Sequence, residues 1–205
     1  MNNVTIIDSG ICNIDSIRRA VEECGGRANV TNNPSTLGSS DRIILPGVGS
    51  FPDAVRALRS RDLDRAIAEE VMNFSLPFLG ICLGMQLLAS IGEEGEIIDG
   101  FNWIPGNVRR LEKREESERV PHVGWNEVYP TRESPLFSGI PDGSDFYFTH
   151  SYHFECADSS HVLATTPYCG TFTSAIEKGP ILGVQFHPEK SQKYGMKLLS
   201  NFLLV

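Results

Sequence analysis

Cys82 sits in Gly80-Ile81-Cys82-Leu83-Gly84, a cysteine with a glycine two positions to either side. It marks the point where an apolar run, Pro77-Phe78-Leu79, gives way to a short apolar helical pattern ending at Gln86. A tight strand-to-helix turn needs small neighbours there, because the central residue is held in strained backbone geometry. The same turn places the sulfur at the start of a helix, where unpaired N–H groups and the helix dipole favour the nucleophilic thiolate. A small buried hydrophobe would fit the same letters, so the case for a nucleophile depends on what else the chain supplies.

It supplies a base. The apolar run Ile181-Leu182-Gly183-Val184-Gln185-Phe186 ends in His187-Pro188-Glu189. Residues two apart in extended chain point to one side, and proline bars a helix, so His187 and Glu189 are predicted to share a face. Imidazole can take the Cys82 proton and return it to a leaving amine, while a carboxylate on its other nitrogen fixes the tautomer and stabilises the imidazolium. A third stretch, Pro46-Gly47-Val48-Gly49, has backbone free to approach a ligand or to turn an N–H toward a developing oxyanion. Thiolate, base, orienting carboxylate and oxyanion loop together specify acyl transfer through a thioester. Residue chemistry alone does not choose between an amide and an ester donor.

These groups can meet only if the fold carries them to one edge. Val4-Thr5-Ile6-Ile7-Asp8 reads as a strand. A helix follows, started at Asn13 and apolar at Ile14, Ile17, Ala20, Val21 and Cys24, before Gly25-Gly26 ends it. Ala28-Asn29-Val30-Thr31 is a weaker strand and Arg42-Ile43-Ile44-Leu45 a strong one. Residues 51–73 have helical spacing with a break near Ser60-Arg61-Asp62. Near-continuous apolar strands separated by helices predict a mostly parallel central sheet with helices on both faces. Cys82 then stands at the C-terminal end of the fourth strand, where open α/β sheets bind ligands.

Beyond residue 100 the pattern changes to short strands at Val108-Arg109-Arg110-Leu111, Trp125-Asn126-Glu127-Val128, Phe146-Tyr147-Phe148, Tyr152-His153-Phe154, Val162-Leu163-Ala164 and Ser174-Ala175-Ile176. They predict an additional antiparallel layer. The strand over 181–186 and a helix over about 194–204, buried at Met196, Leu199, Phe202 and Leu203, close the chain. With no Ser/Pro-rich linker, residues 1–205 are expected to form a single α/β domain.

Composition excludes several function classes. The five cysteines, at 12, 24, 82, 156 and 169, contain no CxxC pair, which argues against a disulfide framework and for a reducing, cytoplasmic setting. No run approaches the roughly 18 apolar residues of a membrane span, and Met1 leads into strand pattern rather than an export signal. With 26 acids against 18 bases and no basic stripe, nucleic acid is not an expected partner. The mixed-sign run at 109–119 reads as a solvated loop or hairpin tip. His122, His150, His153 and His161 read as hydrogen-bonded core or surface histidines, with His150 beside the pocket. They form no ligand set, so neither a metal nor an organic cofactor is expected.

The motifs Gly80-Ile81-Cys82-Leu83-Gly84-Met85-Gln86, Leu45-Pro46-Gly47-Val48-Gly49 and Gly183-Val184-Gln185-Phe186-His187-Pro188-Glu189 together span the chain and resemble the class I, triad-type glutamine amidotransferases. Pro121-His122-Val123-Gly124-Trp125-Asn126, Phe146-Tyr147-Phe148-Thr149-His150-Ser151-Tyr152 and Pro188-Glu189-Lys190-Ser191 narrow the likeness to the glutaminase subunits of imidazole glycerol phosphate synthases. The resemblance implies a class I glutamine amidotransferase-like fold with Cys82, His187 and Glu189 as a triad. It implies that Gly84, Gln86, Ser151 and Tyr152 hold L-glutamine, and that the Gly47-Val48-Gly49 backbone forms or switches the oxyanion hole. It also implies a heterodimer with a cyclase, a (β/α)8 barrel that consumes the ammonia. Because 205 residues leave no room for a synthase domain, the acceptor is expected on another chain, with Trp125 and Lys190 among the contacts as anchors beside the active-site mouth. The opening Asp8-Ser9-Gly10-Ile11-Cys12-Asn13 and Val123 depart from the usual family letters, so a paralogous pathway with a different acceptor stays open beside histidine synthesis. So does a catalytically silent scaffold.

Overall fold

The structure is a computed structural model that describes residues 2–10 and 13–205. Met1, and Ile11 and Cys12 of the divergent opening segment, lie outside the described residues. In chain order the elements are β1 (Asn3–Ile7), α1 (Ile14–Glu23), β2 (Arg27–Thr31), β3 (Arg42–Gly47), α2 (Phe51–Arg59), α3 (Leu63–Phe74), β4 (Phe78–Cys82) and α4 (Leu83–Gln86). Then come β5 (Ile91–Gly92), β6 (Ile98–Asp99), β7 (Gly106–Arg110), β8 (His122–Pro130), β9 (Ser144–His150), β10 (Tyr152–Cys156), β11 (Val162–Thr166), β12 (Phe172–Lys178), β13 (Ile181–Val184) and α5 (Gln192–Phe202).

The strands β2, β1, β3, β4 and β13 lie side by side and all parallel. From β13 the sheet continues antiparallel through β12, β10 and β7, with a branch from β12 through β11 and β8 to β9. Strand alternation divides the core into two. Ile43 and Leu45 of β3 pack with α2 and α3, while the intervening Ile44 faces the side covered by α1 and α5. The predicted parallel centre, two helical faces and antiparallel extension are therefore all present.

Several local readings need correction. Asn13 occupies the start of α1 but its side chain makes no capping hydrogen bond. The β5–β6 hairpin, two residues per strand, is too short to leave a period in the sequence. Strand β13 stops at Val184 rather than Phe186, because the His187 N–H turns to the Tyr147 carbonyl at 2.9 Å. Helix α5 starts at Gln192, and its inner face is Gly195, Leu198, Leu199 and Phe202, with Met196 only partly buried. Gly195 decides that rotation. It lies against the Pro188 carbonyl so closely that an added Cβ would stand 1.9 Å from the oxygen, so α5 clamps the turn that carries His187 and Glu189. Among the described residues no helix is long and apolar enough to cross a membrane, and no group of three or more His, Cys, Asp or Glu could hold a metal ion.

Candidate active site

Cys82 is the last residue of β4 and the first step into α4, with φ 55° and ψ −110°. Such a backbone costs on the order of 1–3 kcal/mol for a residue with a side chain. Burial of Ile81 and Leu83, on either side, contributes about 1.5–3 kcal/mol each, enough to hold the turn in place. The glycines make the turn possible by close approach. A Cβ on Gly80 would lie 2.6 Å from the Gly84 carbonyl oxygen, and one on Gly84 would lie 1.8 Å from the Leu45 carbonyl oxygen. Helix α4 is only four residues long, so it offers little dipole to the sulfur. Besides the His187 ring described below, a side-chain amide reaches Cys82 Sγ: Gln185 Nε2, at 3.6 Å.

His187 and Glu189 are brought together differently from the sequence expectation. Pro188 opens a 3-10 turn over Pro188–Lys190 rather than continuing an extended segment, and that turn swings the carboxylate back so that Oε1 lies 2.9 Å from His187 Nδ1. The Ser191 hydroxyl donates to the His187 carbonyl at 2.6 Å and accepts the Tyr147 N–H at 3.0 Å, fixing the turn to β9. His187 Nε2 is buried without a hydrogen-bond partner. Burial works against charge on this ring, but the nearby Cys82 sulfur and the Glu189 carboxylate outweigh it and raise the imidazole to about 10. A ring held by a carboxylate on one nitrogen, with the other free beside a sulfur, can act as base and then as acid.

Cys82 opens onto a cavity of about 330 Å³ lined also by Val48, Gly49, Leu83, Gln86, Glu94, Pro121, Thr149, His150, Ser151 and Tyr152. The volume falls in the range of small-molecule sites. A cleft of about 760 Å³ along residues 130–142 is larger but contains neither cysteine nor histidine. Of the residues singled out from sequence, Cys82, Val48, Gly49, Gln86, Ser151 and Tyr152 meet in the smaller cavity, and His187 and Glu189 stand behind the sulfur. Gly49, at φ 94°, has nothing within 4 Å of where a Cβ would be. Gly47 and Gly84 do not line the cavity: Gly47 packs on Leu83, where a Cβ would meet another Cβ at 2.9 Å, and Gly84 on Leu45.

Gln86 Nε2 donates to the Tyr152 carbonyl at 2.8 Å and to Gln185 Oε1 at 2.9 Å. Both amide hydrogens are thus used inside the protein, and only its oxygen is left for a ligand. Sequence reasoning missed Gln185 and Glu94. The signal for Gln185 was available, as a lone polar residue inside the apolar run 181–186 and completely buried here. Glu94 follows the short strand β5, and nothing in its neighbours pointed to it.

Trp125 and Lys190 share a surface. Trp125, 47% exposed on β8, packs edge-on against Tyr147 with ring centroids 6.0 Å apart, and the Lys190 ammonium lies 5.8 Å from the centre of the same ring. Val123, on the same face of β8, is also exposed.

Comparison with known proteins gives one answer at each level. Residues 5–205 match the family model "Glutamine amidotransferase class-I". The imidazole glycerol phosphate synthase subunit HisH of Moorella thermoacetica is 44% identical over 202 residues, covering 98% of this chain and 94% of that protein. The subunit HisH 2 of Nitrobacter winogradskyi is 42% identical over 208 residues, with 99% and 98% covered. Among solved structures, PurLQS from Thermotoga maritima superposes with a TM-score of 0.77 at 17% identity, over 100% of this chain and 99% of that one. A glutamine amidotransferase, also from Thermotoga maritima, gives 0.69 at 19% identity, over 98% and 96%. The fold is thus that of the glutamine amidotransferases, and the chain belongs to the class I glutamine amidotransferase family, in the branch of the HisH subunits of imidazole glycerol phosphate synthase.

Proposed function

We propose that Cys82, His187 and Glu189 form the triad with which this chain hydrolyses L-glutamine to glutamate and ammonia. The ammonia passes to a separate chain, a cyclase with a (β/α)8 barrel that makes imidazole glycerol phosphate and AICAR in histidine biosynthesis in the cytoplasm. The observation that carries the reading is the buried His187–Glu189 pair, whose free Nε2 stands beside a cysteine held at φ 55° under a cavity.

In this reading glutamine enters with its amide toward Cys82. The thiolate adds to the amide carbon, and the resulting oxyanion is met by N–H groups from the Gly47-Val48-Gly49 backbone and from Leu83, the residue after the nucleophile. His187 gives its proton to the departing nitrogen, ammonia leaves, and a thioester remains on Cys82. His187 then takes a proton from water as it attacks the thioester, and glutamate is released. At the other end of the substrate, the spare oxygen of Gln86 and the Glu94 carboxylate present acceptors. They suit an α-ammonium group and select an amino acid over a neutral amide. Ser151 and Tyr152 form the opposite wall.

The half-exposed Trp125–Tyr147–Lys190 cluster supports the partner surface. It combines an aromatic anchor with a cation on the turn that also carries Glu189. A Cys82→Ser variant tests the reading. Glutamine hydrolysis by the complex with the cyclase is expected to fall by about 10⁴ or more, since triad members act as a unit, while the two chains still co-elute on gel filtration. Activity within tenfold of the parent would remove Cys82 from the mechanism.

A further inference from the structure

One buried side chain in contact with the sulfur has no part in the triad scheme. Gln185 is fully buried, immediately beyond β13, with Nε2 3.6 Å from Cys82 Sγ and Oε1 accepting from Gln86 Nε2 at 2.9 Å.

The orientation of its amide follows from the neighbours. A carbonyl oxygen can only accept, so the Tyr152 carbonyl, 2.8 Å from Gln86, pins the nitrogen end of Gln86 in place. Gln86 therefore meets Gln185 as a donor, Gln185 must answer with its oxygen, and its NH₂ group is left for Cys82. The Tyr152 carbonyl is itself anchored. His150 Nδ1 lies 2.8 Å from it and must be the protonated nitrogen, so His150 Nε2 accepts from His122 Nδ1 at 3.0 Å. His122 Nε2 in turn accepts from Asn126 Nδ2 at 3.3 Å. Donors from two sides thus converge on a single backbone oxygen, and the amide of Gln185 has no alternative arrangement that keeps all of these bonds.

The contact distinguishes the two forms of Cys82. A neutral thiol gains nothing from this amide nitrogen, which cannot accept a proton, and must turn instead to His187 Nε2 or to the Thr149 carbonyl at 3.9 Å, which is long even for sulfur. For a thiolate there is an N–H donor already aimed at the sulfur, and hydrogen bonds to a charged partner are the stronger kind.

We propose that Gln185 is a positioning residue for the reaction: its amide, locked by Gln86, aims the Cys82 sulfur and favours the thiolate. The proposal rests on Cys82 being the nucleophile.

The experiment uses the complex with the cyclase and two variants. Gln185→Met keeps the size of the side chain and removes both the donor to Cys82 and the acceptor that holds Gln86. Its kcat for glutamine hydrolysis is expected to fall about 10- to 100-fold, the worth of one hydrogen bond to a charged group, with a smaller change in KM that comes through Gln86 and that Gln185→Glu, which keeps the Gln86 bond, does not share. Alkylation of residue 82 by iodoacetamide, followed against pH and read by peptide mass spectrometry, is expected to slow about tenfold at pH 7 and to shift its profile to higher pH. Gln185→Glu, which can still accept from Gln86, replaces the donor with a negative charge. It is expected to lose more activity than Gln185→Met and to alkylate still more slowly, and it serves alone if the methionine variant does not fold. A parent-like alkylation profile in a folded variant would overturn the proposal, whatever happens to kcat. An unchanged kcat would overturn it as well. Failure of the underlying reading is separately visible, as retained activity in Cys82→Ser.

Discussion

His187 Nδ1 and Glu189 Oε1 stand 2.9 Å apart across a single proline, and the two side chains expose only 4% and 2% of their surface. A carboxylate this dry is tolerable only opposite a ring that can carry positive charge. Glu189→Gln preserves the shape and removes that charge. The expected result is a loss of about 10³–10⁴ in kcat, as when an orienting carboxylate is neutralised in other triads, with KM nearly unchanged. Steady-state glutaminase kinetics on the complex provide the check, and a loss smaller than tenfold would count against an orienting role.

Gly84 belongs to the architecture rather than to the cavity. In Gly84→Ala the new Cβ would lie 1.8 Å from the Leu45 carbonyl oxygen, a backbone atom that cannot move without shifting β3. Overpacking of this kind costs about 1–3 kcal/mol and sometimes more, so the variant is expected to unfold at clearly lower urea concentration. Gly49→Ala is the informative contrast. Its φ of 94° strains any side chain, but no atom lies within 4 Å, so the expected loss is smaller.

Acid stability should depend on the buried histidine pair. Burial pushes His150 down to about 3, and His122, also by burial, to about 4. Both rings are therefore neutral in the folded protein where an unfolded histidine, near 6.5, binds a proton. In that window the unfolded state holds more protons, so stability rises with pH and is lost as pH falls from about 6.5 toward 4, by up to about 1.4 kcal/mol per pH unit for each ring. Urea unfolding at a series of pH values is expected to give a steeper acid slope for the parent than for His150→Gln. Parallel slopes would mean that the pair does not carry the effect.

Trp125 presents an aromatic face that the rest of the protein only half covers. Trp125→Ala is expected to weaken association with the proposed cyclase partner by about 1–3 kcal/mol, in the range of an interface anchor, and to leave the unfolding free energy within about 0.5 kcal/mol of the parent, as for a surface substitution. Titration calorimetry measures the first and urea unfolding the second. A destabilised monomer with unchanged affinity would place Trp125 in the core instead.

Much of this was legible in the letters. Apolar runs such as Ile43-Ile44-Leu45 announced buried parallel strands, and the glycines around Cys82 announced the elbow, because both patterns depend on nearest neighbours in the chain. The break at 60–62 was visible for the same reason, with Asp62 taking φ 54°. What escaped depended on long-range packing. That His187 and Glu189 meet through a tight turn follows from Gly195 admitting the Pro188 carbonyl, a contact between an α-helix and the turn before it. Gln185 acquires its place only when β4, β10 and β13 are assembled, reaching Cys82 from 103 residues away, and Glu94 only when β5 has paired with β7 and its carboxylate accepts the Phe51 N–H at 2.7 Å. Cys82 does start a helix, as the motif announced, but the length of that helix cannot be read from a motif: α4 ends after one turn.

Among the described residues, strand β13 is the only hydrogen-bonded neighbour that joins the four strands from the first 82 residues to the remainder of the sheet. During translation, the inner border of β4 therefore stays uncovered until residues 181–184 have cleared the ribosome. An unpaired strand edge of this kind can capture another chain. A chain truncated just before residue 181 keeps that border bare and is expected to collect in the insoluble fraction.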